Sequence, residues 1–91
     1  MSVYVDSMSP CLRSARWRYT EACHLFADDD KELVEFGCKM GLKEEWLQQG
    51  AITHFDLTFN MRVKAKKMGA TEVSREFLVE EIRRRRQAVT T

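Results

Sequence analysis

The sequence predicts an α/β fold: a small, mostly parallel sheet of about four strands with three main helices. Three observations carry this expectation. Short runs rich in β-branched and aromatic residues alternate in polarity, which is the two-residue period of a strand. Between them lie stretches with apolar residues three and four apart, each preceded by a capping side chain. Strands and helices then follow one another in turn, a pattern that calls for right-handed crossovers onto a shared sheet.

The elements are justified in chain order. "VYV" (residues 3–5) reads as the first strand, ending at Asp6. Residues 7–19 hold the only proline and no sustained period, so they read as a long loop with a turn near Ser9-Pro10. "ACHLFA" is the second strand. Asp29 and Glu32 then match the D-x-x-E capping box of a helix running to about Met40, stopped by Gly41. Leu33, Phe36, Gly37 and Met40 share one face of that helix. "KEEWLQ" is one short helical turn and Gly50 opens a loop. "THFDL" is the third strand, and Thr58 caps a helix through Met68 on which Met61, Ala65 and Met68 align. Gly69 ends it. "ATEV" is the fourth strand, and Ser74 caps a last helix with Leu78 and Ile82 turned to the core. The order is strand, loop, strand, helix, strand, helix, strand, helix, in a single domain spanning 1–91.

Composition narrows the functional classes. Hydrophobic residues make up 44% and charged residues 32%, the balance of a folded globular chain rather than a disordered one. No apolar run approaches the roughly 18–20 residues that span a bilayer. The opening "MSVYVDSMSP" lacks a basic leader and an apolar signal core, so the expectation is a cytoplasmic protein with no membrane partner. Cys11, Cys23 and Cys38 are an odd number without a C-x-x-C pair, which argues against a disulfide framework and a zinc ribbon. The four glycines, at 37, 41, 50 and 69, stand apart. Neither G-x-G-x-x-G, nor a Walker loop, nor a serine elbow is present, which disfavours kinases, nicotinamide dehydrogenases and serine hydrolases.

Charge is unevenly spread. Residues 1–46 hold six basic and nine acidic side chains, whereas 47–91 hold nine basic and five acidic. That asymmetry hints at an anionic partner for the second half. The run Arg83–Arg86 has two readings: cations complementing a helix C-terminus, or a basic patch for nucleic acid or an acidic protein.

The chemistry is expected where polar residues interrupt the strands. Side chains two and four apart share a strand face, so His24 goes with Asp28, and His54 with Asp56. Asp6, Asp28, Asp56 and Ser74 each fall at or just past a predicted strand's C-terminal end, the edge where open parallel sheets bind ligands. Asp6, Asp28 and Asp56 are candidate metal ligands, and His24 and His54 are candidate ligands or acid–base groups. Carboxylates favour Mg²⁺ or Mn²⁺, while mixed imidazole and carboxylate sets suit Zn²⁺, Mn²⁺ or Fe²⁺. Arg13, Arg16 and Arg18 interleave with Trp17 in the long loop, a composition that can clamp phosphates and stack bases.

The blocks "VYVD", "HLFAD", "HFDLT" and "GATEVS" occur in an order similar to that of a family of small bacterial and phage proteins, domain of unknown function 4031. The resemblance covers nearly the whole chain. It places His24, Asp28, His54 and Asp56 in the family's motif blocks and implies no activity. The family often has a tyrosine where Phe55 stands and a second acid where Ser7 stands. "VYVDS" also has a fainter likeness to the opening strand of nucleases with PIN-like folds. Two functions from different classes follow: a metal-assisted site for a phosphate-bearing ligand such as nucleic acid or a nucleotide, or a non-enzymatic protein, such as a phage accessory factor, that covers a host protein complex. A homodimer through an exposed strand edge or the Met-rich helix is a third reading.

Overall fold

The computed structural model describes residues 2–11 and 19–90, with side chains to residue 87. Five strands, β1 (Val3–Val5), β2 (Ser9–Pro10), β3 (Glu21–Ala27), β4 (Phe55–Leu57) and β5 (Thr71–Glu72), combine with helices α1 (Asp30–Met40), α2 (Phe59–Lys67) and α3 (Arg75–Thr90). The class and the three helices are as expected. β2 is an additional strand inside the expected loop, and its proline is tolerated because β2 lies on the sheet's edge.

The sheet is mixed, and this corrects the mostly parallel expectation. β3 is the long central strand, antiparallel to β1, β2 and β4, and among the described residues only β1 and β5 pair in parallel. The physical reason is the connection. Among the described residues no helix lies between β1 and β3, and β3 returns antiparallel beside β1 instead of crossing over. β1, β4 and β5 therefore run one way and β3 runs the other.

Helix ends follow the local capping signals. The Asp29 carboxylate accepts the Glu32 amide at 2.8 Å, the Thr58 hydroxyl accepts Met61 at 3.2 Å, and the Ser74 hydroxyl accepts Phe77 at 3.1 Å. α1 ends at Gly41, whose φ of 92° is reached without strain only by a residue lacking a Cβ.

Alternation sorts the sheet into two faces. Val3, Val5, Cys23, Leu25, Ala27, Phe55 and Leu57 form one, buried with Leu33 and Met40 of α1 and Ala65 of α2. On the other face Phe26 packs with Ile52 and with Leu78 of α3, flanked by Tyr4, Val73 and Ile82. His24 and Asp56 occupy this second face by strand parity. Among the described residues no helix is long and apolar enough to cross a membrane.

The arginine run closes onto its own helix. Arg84 and Arg85 both pair with the buried Glu81 carboxylate, Arg83 pairs with Glu80, and Arg85 also donates to the Ala27 carbonyl.

Candidate metal centre

The register of β1, β3 and β4 places three polar residues in one row across the sheet. His24 is paired directly with Asp56 on β4, and His54 lies two residues before Asp56, diagonal to His24. On the other side of β3, Asp6 just beyond β1 meets His24 through both backbone and side chain.

Each imidazole is held through its Nδ1. The His24 backbone N–H donates to Asp6 Oδ1 at 2.6 Å, and its Nδ1 stands 2.8 Å from Asp6 Oδ2. The Asp6 side chain is only 3% exposed and accepts both. His54 Nδ1 stands 2.8 Å from the Ile52 carbonyl oxygen. A carboxylate and a carbonyl can only accept, so both Nδ1 atoms carry hydrogen. In the neutral ring each Nε2 then holds a lone pair, the arrangement that orients metal-binding histidines. The two rings meet nearly edge to face, centroids 5.0 Å apart.

Asp56 completes the group. Its Oδ1 is 3.5 Å from His54 Nε2, and its Oδ2 accepts the Gln48 side-chain amide. A neutral His54 would thus aim a lone pair at a carboxylate, which is stable only with a cation between them. That cation is either a proton or a metal ion. A separation of 3.5 Å is wide for a hydrogen bond, yet two ligands each ~2.1 Å from a tetrahedral ion lie about 3.4 Å apart. One donor atom each from His24, His54 and Asp56 lie within 4.8 Å of one another.

The electrostatics couple the protonation of His54 and Asp56. Burial pulls the His54 pKa down, but the nearby Asp56 carboxylate and the Ile52 carbonyl, with the charge of Asp6, raise it overall. The His54 ring beside it lowers the Asp56 pKa despite partial burial, aided by the charge on His54, the Gln48 amide and the charge on His24. Behind the site Cys23 faces the core on the opposite side of β3 from His24, and burial pushes its thiol up to about 12.

The structure brings together Asp6, His24, His54 and Asp56 and leaves Asp28 apart. Because β3 runs antiparallel to β1, its C-terminal end lies at the opposite end of the sheet. Four residues of strand put Asp28 about 13 Å along the chain from His24. There it accepts the Ser2 amide at 2.8 Å and the Tyr4 hydroxyl at 2.9 Å. The expectation that all the strand-end acids meet at one edge is corrected accordingly, and Ser74 serves as a helix cap. Arg13, Arg16, Trp17 and Arg18 lie outside the described residues. Two participants had no sequence signal, since neither one glutamine of the Gln48–Gln49 pair nor one arginine in a basic helix marks a site. Gln48 reaches Asp56, and Arg62 of α2 donates from Nε to the Asp6 carbonyl at 2.8 Å while pairing with Glu72.

A family model described as Protein of unknown function (DUF4031) matches residues 3–86. No curated protein and no solved structure matches the chain. The fainter likeness to PIN-like nucleases gains no support from these comparisons.

Proposed function

The chain belongs to the DUF4031 family of proteins of unknown function, and we propose that it binds a divalent transition-metal ion through His24, His54 and Asp56. The observation that carries this reading is the pair of Nδ1-anchored imidazoles beside a carboxylate at ligand spacing. Asp6, expected to be a ligand, acts here as the partner that orients His24. Three protein ligands are one fewer than a closed structural zinc site uses, which leaves a position for water or a substrate oxygen. An ion held this way supplies a Lewis acid that activates water and neutralises phosphoryl charge.

The ligand we assign is phosphate-bearing, on nucleic acid or a nucleotide. Its support is compositional: Arg13, Arg16, Trp17 and Arg18 fall between Cys11 and Thr20, which are bonded to each other at 2.9 Å just before the strand that carries His24. We place the protein in the cytosol, where Cys11, Cys23 and Cys38 stay reduced.

The test is a thermal-shift screen of chelator-treated protein with Zn²⁺, Mn²⁺ and Mg²⁺, comparing wild type with Asp56→Asn and His54→Ala. An ion at 100-fold its dissociation constant stabilises by ~2.7 kcal/mol, which for a domain this small is upwards of about 10 °C. Zn²⁺ or Mn²⁺ should shift the wild type and neither variant, with Mg²⁺ weakest because two ligands are imidazoles. Identical melting with and without every ion would refute the reading and turn attention to a protein partner.

A further inference from the structure

We propose that Gln48 fixes the coordination mode of Asp56 and so sets which metal the site prefers; this rests on the metal-binding reading above. Gln48 touches both His54, just before β4, and Asp56 on it. Its backbone forms an isolated antiparallel bridge with His54, donating at 2.9 Å and accepting at 3.0 Å. Its side-chain amide donates to Asp56 Oδ2. The other carboxylate oxygen, Oδ1, is the one facing His54 Nε2. Asp56 therefore has one oxygen free of any protein donor, while the second accepts the Gln48 amide hydrogen, which competes with a metal ion for it.

That restriction discriminates between ions. One carboxylate oxygen and two imidazole nitrogens suit four-coordinate zinc with a water as fourth ligand. Ions that prefer six or more oxygen ligands gain from a bidentate carboxylate, which the Gln48 amide opposes. Gln48 is a positioning residue: it acts on the ion only through Asp56 and His54. The backbone bridge is independent of the side chain, so replacing the amide alters the carboxylate while leaving the main-chain strand pairing in place.

The experiment measures Zn²⁺ and Mn²⁺ dissociation constants by competition with a chromophoric chelator, for wild type, Gln48→Ala and Gln48→Met. Gln48→Met keeps the side chain's length without its donor. Co²⁺ absorption reports coordination number alongside, and the melting temperature of the metal-free variants verifies folding. The expected result is a 10–100-fold loss of Zn²⁺ affinity, the usual effect of removing a ligand's orienting partner. Mn²⁺ affinity should change by less than about threefold, and the intense four-coordinate Co²⁺ bands should weaken. Wild type binding zinc while both variants keep its Zn²⁺-to-Mn²⁺ ratio, whether affinities are unchanged or fall together, overturns the role of Gln48 and leaves the metal site standing. Wild type binding no ion overturns the metal site itself, and this inference with it.

Discussion

Replacing Gly37 by alanine puts a methyl carbon where the structure has almost no room. A Cβ built on Gly37 lies 2.6 Å from Phe55 Cε2 and 3.0 Å from Cζ, well inside van der Waals contact. Phe55 is 1% exposed and is the β4 residue between His54 and Asp56, so its ring has no solvent to move into. Overpacking of this kind costs about 1–3 kcal/mol, while the better helix propensity of alanine returns about 0.8–1.0 kcal/mol. The net loss is then about 1 kcal/mol, which lowers the melting temperature by roughly 4–8 °C. Because the strain is relieved by moving β4, Zn²⁺ affinity should fall about 10-fold as well. Differential scanning calorimetry and chelator competition measure the two effects. The companion Phe55→Leu, which shortens the opposing side chain, should make Gly37→Ala less costly in the double variant than alone. A Gly37→Ala protein as stable as wild type, with unchanged metal affinity, would refute the argument that helix α1 holds β4 and the site in place.

Other outcomes follow from the same geometry. His54 has its folded pKa raised, so its contribution to stability is full below its unfolded value of about 6.5 and is lost as pH rises through the folded one. Asp56 has its pKa lowered, so its contribution is present above about 3.9 and is lost as pH falls through the folded value. Metal-free wild type should therefore exceed Asp56→Asn in melting temperature most between about pH 4 and 6.5; parallel pH profiles would contradict the coupling. Arg85→Met should cost about 1–3 kcal/mol by stripping partners from the buried Glu81 and the Ala27 carbonyl, whereas Arg83→Ala, in an exposed pair, should cost about 0–1 kcal/mol in urea unfolding. A thiol reagent should label the exposed Cys38 in the native protein and reach Cys23 only on unfolding; rapid native labelling of Cys23 would contradict its burial.

The sequence by itself determined the parts of this protein that are decided locally. Asp29, Thr58 and Ser74 announce three helices because a cap is a contact over three residues. Gly41 ends α1 because its φ suits glycine. Alternation puts His24 on one face of β3 and Cys23 and Leu25 on the other whichever way the neighbours run. For the same reason alternation could not reveal strand direction, since a period of two is identical in parallel and antiparallel pairs. Only the tertiary structure decided that β3 runs against β1 and β4. That choice carries Asp28 to the far end of the sheet and sets Asp6, His24 and Asp56 in one row. The same long-range packing brought Arg62 to the Asp6 carbonyl and Arg85 to the Ala27 carbonyl. Such contacts depend on which apolar faces are buried together across dozens of residues, and no local pattern of residues encodes that pairing.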